Sequence, residues 1–340
     1  MHPLLFSRFW RSWTFLLLLG LLVWPAQVWA WGSATHAHVA DRLGAVDGAA
    51  NLNEIYGAMA LDTFNYLFDP PVVAQTLYYL THHESLRVWQ QARGGDWATR
   101  SVAYGYISHN DDWGADYTAH HRGLTYGLSD GYVIAKTADL MASSSLLPLL
   151  GLPDPVAREL THIMVETGVD VLIQTLNHDI GQKIMAATQV RTDAFPQLLV
   201  QAYAPDLTGL YQGDPVALIY GAEALFRNQM WGYGYALTFA PAQAVPMLAD
   251  QFAGLANAFL NSYGLNLPLT HDQIAAFLGG LINEAMVLCQ GDFTAEMNQT
   301  ILFVDDQLWS HGVIPVPVPA ALVLLAPPLL RLGQRLRRLS

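Results

Sequence analysis

Twelve histidines share a chain that has only two lysines, and several of them stand one helical turn from a carboxylate. His162 and Glu166 in "HIMVE" are four apart, and Asp116 and His120 in "DYTAH" repeat that spacing. On a helix, positions i and i+4 leave the same face one turn apart. His109 lies seven residues before Asp116, and seven residues advance a helix by about 700°, close to two full turns. His109, Asp116 and His120 therefore share a face if one helix runs through Trp113-Gly114. Imidazole nitrogens and carboxylate oxygens so placed are the ligands zinc prefers. A lone His-x-x-x-Glu pair is common on ordinary helix surfaces, so the weight rests on several such pairs in one chain.

The elements that must carry these residues read as helices. "THAHVADRLGAV" starts with Thr35 as an N-cap and continues at helical spacing. "DPPVVAQTLYYLTHHESLRVWQQARGG" has Pro71 near a helix start and a Gly-Gly stop. "SVAYGYISHNDDWGADYTAHHRG" and "DPVARELTHIMVETGVDVLIQTL" follow the same pattern, the second with Asp154 and Pro155 as N-cap and first helical residue. "PAQAVPMLADQFAGLANAFLNSYG" and "THDQIAAFLGGLINEAMVLCQG" predict two more helices. Alternating β patterns are scarce, and "ILFVDDQLW" is the best strand candidate. No repeat of fixed period and no low-complexity linker divides residues 31–313, so the expectation is all-α: a single multi-helix domain.

The two ends of the chain read as processing segments. Residues 1–30 have a basic start (Arg8, Arg11), the apolar run "FLLLLGLLVW" and small residues Val28 and Ala30 before Trp31. That is the layout of a secretory signal peptide, with an apolar run too short for a membrane span of about 20 residues. Residues 314–340 hold a Pro-Val repeat, an apolar run and four arginines. This tail resembles the PEP-CTERM type of sorting segment of exported Gram-negative proteins, with "VPVP" where that pattern has a glutamate between prolines. The resemblance implies membrane contact through the tail before processing, and a sorting transpeptidase as partner. A retained tail anchor is the alternative, against which Pro327 and Pro328 argue. Export implies a location in the periplasm, at the outer surface or in the medium.

All 28 acidic residues lie between these ends, together with only ten of the 16 basic ones. So acidic a body repels a polyphosphate strand and suits bound cations. The one cysteine, Cys289, has no partner for an internal disulfide and reads as a small buried apolar residue.

The order of signal cleavage, Trp, His, Asp and then His/Asp/Glu helices resembles the zinc-dependent phospholipase C family of bacteria and the related single-strand-specific nucleases. The resemblance covers residues 31 to about 175. It implies a mostly helical fold holding three zinc ions in a cleft, with the amine and carbonyl of the first mature residue, Trp31, chelating one of them. His36 in "WGSATH" matches the histidine on that ion, and His38 is left out. Asp62 in "YGAMALDTF" matches a ligand that also serves as general base. His82 in "YYLTHHESL" matches the next ligand, with His83 as a rival, and His109 in "AYGYISH" follows the family's Gly-Tyr pair. The family then sets a bridging aspartate four residues on, where this chain has Trp113; Asp116 is favoured and Asp112 stays open. His120 (or His121), His162 and Glu166 complete the third ion.

Zinc ions so held would activate water and stabilise a departing alkoxide in phosphodiester cleavage. The α-amine has a reference pKa of about 7.7–8.0, so it can bind metal at mild pH once cleavage has freed it. The expected function is thus an exported zinc-dependent phosphoric diester hydrolase of phospholipase C type. The acidic body and abundance of Leu, Phe, Trp and Tyr favour a phospholipid over nucleic acid, which would want a basic groove. A single-strand nuclease or a non-catalytic zinc-binding surface protein on the same scaffold is the alternative.

Overall fold

In the computed structural model, which describes residues 31–44, 51–266 and 268–314, fifteen α-helices follow one another. They are α1 (Ser33–Leu43), α2 (Leu52–Ala60), α3 (Pro71–His83), α4 (Leu86–Ala92), α5 (Trp97–His109), α6 (Ala115–His120), α7 (Tyr132–Ser143) and α8 (Leu147–Leu150). There follow α9 (Asp154–Ile173), α10 (Ile180–Val190), α11 (Phe195–Tyr203), α12 (Pro215–Ala236), α13 (Pro241–Ser262), α14 (His271–Cys289) and α15 (Phe293–Ser310). Among the described residues the only β feature is an isolated bridge between Thr208 and Tyr211. The chain is an all-α domain, as the periodicity predicts. The signal peptide assigned to residues 1–30 lies outside the described residues, as does the sorting tail from residue 315 onward.

Helix starts follow local chemistry. Proline stands in the first turn of α3, α9, α11, α12 and α13, where its missing N–H costs nothing. Thr270 and Gln273 form a reciprocal capping box on α14.

The middle of the domain is α9, in which every residue from Thr161 to Ile173 is buried. A helix buried all round must be covered on several sides, and α1, α7, α13 and α14 do this. His162, Glu166 and Asp170 form a polar stripe at four-residue spacing along this otherwise largely apolar helix. The second pairing that positions the site is α2 against α5. A Cβ on Gly57 would lie 1.9 Å from the Val102 carbonyl, and one on Gly105 would lie 2.0 Å from the Glu54 carbonyl. Only glycine lets these backbones approach so closely.

α14 is long and apolar enough to cross a membrane by length and composition. It packs against α9 and α13. Cys289, at its end, is fully buried.

Four sequence expectations are corrected. "ILFVDDQLW" is not a strand but part of α15, because Met297, Thr300, Val304 and Leu308 form one buried face while Leu302 is exposed. Thr35 is not the N-cap of α1; Gly32 holds that position, and Thr35 donates instead to Asp170. The helix through "THHESLRV" breaks at Glu84-Ser85 into α3 and α4. The helix through "SHNDDWGAD" breaks as well: α5 stops at His109, a turn follows, and α6 begins at Ala115.

Candidate metal centre

That last break brings the ligands together by a route other than a shared helical face. Asn110 organises the turn: its amide nitrogen donates to the Ile107 carbonyl, and its side-chain oxygen accepts from the backbone of Asp112 and Trp113. A Cβ on Gly114 would fall 2.6 Å from the Asn110 backbone, so the chain can fold back this tightly only with glycine there. α6 therefore starts beside the end of α5, with Asp116 and His109 in contact.

Three groups of ligand atoms result, each with its atoms within 4.8 Å of one another: His36, His109 and Asp116; Asp62, His82 and His109; and His120, His162 and Glu166. His109 is common to the first two, and Asp116, a member of the first, also faces His82 of the second. Asp116 Oδ1 lies 3.0 Å from His36 Nε2, and its Oδ2 lies 2.8 Å from His109 Nε2 and 3.8 Å from His82 Nε2. Asp62 Oδ1 lies 3.4 Å from His82 Nε2 and 3.7 Å from His109 Nε2. In the third group, His162 Nε2 is 2.7 Å from Glu166 Oε1, and the His120 and His162 rings are 5.3 Å apart. The Nε2 atoms of His36, His82 and His109 and both oxygens of Asp116 are buried, and none makes a hydrogen bond of normal geometry despite these short separations. Buried polar atoms are almost always hydrogen-bonded. A set that converges without bonding could hold a metal ion.

The outer nitrogens are tied down. His109 Nδ1 donates to the Ala58 carbonyl at 2.6 Å, across the close α2–α5 contact. His82 Nδ1 sits 2.9 Å from both the Tyr78 carbonyl and the Thr81 hydroxyl. His120 Nδ1 lies 2.7 Å from Asp111 Oδ1. A carbonyl only accepts, so Nδ1 of His82 and His109 carries a proton, which leaves Nε2 as the atom that faces the cluster. Asp111 gives His120 the carboxylate support common behind metal-bound histidines.

His36 depends on where α1 begins. Asp170 accepts from Ala34 N (2.7 Å), Thr35 N (2.8 Å), Thr35 Oγ1 (2.6 Å) and Tyr233 OH (2.8 Å). A carboxylate from α9 thus caps a helix that has no side-chain cap of its own. Trp31, just before it, is buried, donates from Nε1 to Thr118 Oγ1 at 3.0 Å and stacks on Tyr132. Trp31, Asp62 and Glu166 line one cleft. Asn65 donates to Asp62 Oδ1 at 2.8 Å and fixes its orientation.

The electrostatics fit a site built for cations. Burial pulls the His109 imidazole down, but Asp116 and Asp62 outweigh it and hold the ring up at about 9. His36 is pushed down by burial and by His109 beside it. Burial opposes ionisation of Asp116, yet His109 and His36 bring its carboxyl well below the usual range. Glu166 is raised well above its ordinary value by burial and by Asp62, Asp116, Asp170 and Glu159.

All nine residues singled out from sequence lie in or beside this region. The rival aspartate is elsewhere: Asp112 is exposed and bonds His83 Nδ1 at 2.8 Å, while Asp116 is fully buried. His83 and His121 are likewise partly exposed, His121 meeting Asp111 at 3.0 Å. His38 faces Asn177 rather than the cluster. Asp170, Asp111, Asn65 and Asn110 were missed. Asp170 alone had a sequence signal, since it continues the His162–Glu166 spacing by one more turn.

Compared with protein-family models, curated proteins and solved structures, the chain matches none.

Proposed function

We propose that this chain is an exported zinc-dependent phosphodiester hydrolase that cleaves phospholipid head groups. The observation that carries the reading is Asp116: a fully buried carboxylate whose two oxygens divide between His36 on one side and His109 with His82 on the other. One carboxylate serving two histidine groups suits a pair of metal ions, and His120, His162 and Glu166 suit a third. Their nitrogen and carboxylate chemistry favours zinc. Zinc ions held there would supply an acidified water and charge stabilisation for phosphate oxygens.

The chain's own residues then have separate tasks. Asp62 lines the cleft, is steered by Asn65, and is placed to take a proton from an attacking water. Asp116, His36, His82 and His109 would hold two neighbouring ions. His120, His162 and Glu166 would hold a third ion, whose charge would stabilise the departing alkoxide. Export and cleavage before Trp31 would free its amine beside this cleft, adding a donor that the uncleaved chain lacks.

The test is turnover by zinc-loaded protein beginning at Trp31, measured on a choline phospholipid and on single-stranded DNA side by side. Release of phosphocholine well above any DNA cleavage is expected. Preferential DNA cleavage would move the assignment to a nuclease, and zinc binding without either activity would make it a non-catalytic metal protein.

A further inference from the structure

Against the metal cleft lies a second cavity, of about 70 Å³, between α9, α13 and α14. All fifteen residues lining it are apolar, among them Phe68, Met164, Leu255 and Leu278. Two of the fifteen, Ile163 and Phe252, line this cavity and the metal cleft alike. Ile163 follows the ligand-group residue His162 directly on α9, so the apolar wall begins one residue from the cluster.

We propose that this cavity takes one acyl chain of the molecule whose phosphodiester lies at the metal centre. The inference rests on the hydrolase reading and names the part of the substrate that the metal cannot recognise. A charged or hydrogen-bonding ligand would lose its water and find no partner among these side chains. A peptide helix, about 10 Å across, needs far more room than this cavity has. Apolar cavities lined by Leu, Ile and Phe stay dry and accept hydrocarbon, and an alkyl chain is the hydrocarbon that can also reach the neighbouring cleft. The shared residues Ile163 and Phe252 make it one site with two ends, one for charge and one for carbon.

The experiment is calorimetric titration of zinc-loaded protein with hexyl-, octyl- and decylphosphocholine, each kept below its micelle concentration. Burying methylenes should tighten binding roughly ten-fold for every two carbons. Ala256→Trp, which fills the cavity, and Leu255→Gln, which makes it polar, should each reduce that increment to less than about two-fold. Ala258→Trp, on an exposed position of the same helix, should keep it. A wild-type increment below two-fold, or an undiminished increment in a folded Ala256→Trp or Leu255→Gln protein, would overturn the proposal.

Hydrolysis of bis(4-nitrophenyl) phosphate, which has no alkyl chain, reads the metal centre alone. Hydrolysis without a chain-length increment removes the cavity assignment and keeps the hydrolase. An increment without hydrolysis removes the hydrolase reading and leaves an alkyl-chain site.

Discussion

Replacing Asp170 with alanine removes the acceptor of four buried hydrogen bonds at once, two of them from backbone N–H groups in the first turn of α1. Among the described residues no other side chain caps that helix, so Ala34 N and Thr35 N lose their acceptor. An unsatisfied buried donor costs about 1–3 kcal/mol, and the hydroxyls of Thr35 and Tyr233 can turn to new acceptors. Water entering the vacated space recovers part of the loss. The expected destabilisation of metal-free protein is therefore roughly 3–5 kcal/mol, a large share of the ~5–15 kcal/mol typical of a domain. Asp170→Asn keeps the volume and one acceptor oxygen, and should cost about half as much. Urea unfolding followed by circular dichroism gives both values by linear extrapolation. Because Trp31 and His36 hang on the start of α1, the alanine variant should also bind less metal than wild type under conditions where both are folded. A loss below 1 kcal/mol with unchanged metal content would refute the view that Asp170 holds this end of the site.

Other perturbations have equally definite outcomes. Asp116→Asn removes the carboxylate charge shared by two ligand groups and should lower bound zinc by at least one ion per chain, measured by elemental analysis. Asp111→Asn weakens support for His120 and should reduce affinity for the ion in that group by about 10–100-fold in a chelator competition. Gly105→Ala places a methyl 2.0 Å from the Glu54 carbonyl, so α2 and α5 must part, and thermal unfolding should fall by several degrees or the protein should fail to fold. In metal-free protein His109 is raised to about 9, so its contribution to stability is complete below its unfolded value of about 6.5 and fades as pH rises through 9. Asp116 is depressed, so its contribution is present above about 3.9 and is lost as pH falls further. Unfolding free energy measured across pH 5–10 should therefore decline on the alkaline side without zinc, and a flat metal-free profile there would contradict the assigned contacts.

The sequence carried the fold class because apolar residues recur at helical spacing almost throughout. Where it misled, local pattern was overruled by packing. "ILFVDDQLW" is rich in β-favouring residues, yet the buried face that decides its state runs back through Thr300 and Met297. The ligand residues were legible because the chemistry demands particular side chains, and His162–Glu166 even kept the helical spacing expected of it. The His109–Asp116 contact was inferred from a continuous helix that does not exist; the turn at Asn110 achieves the same meeting over a shorter path. Asp111 and Asn65 escaped notice because what matters is whom they touch in space. The apolar cavity was equally invisible, since its walls come from α9, α13 and α14 and from loops between distant elements.

The central claim is that these buried residues form a centre for three zinc ions completed by the amine of Trp31. Elemental analysis of two purified forms tests it most directly: one beginning at Trp31 and one keeping Ala30 before it. Close to three zinc ions per chain in the first form, and about one fewer in the second, is the expected result. One zinc ion or none in the form beginning at Trp31 would contradict the claim.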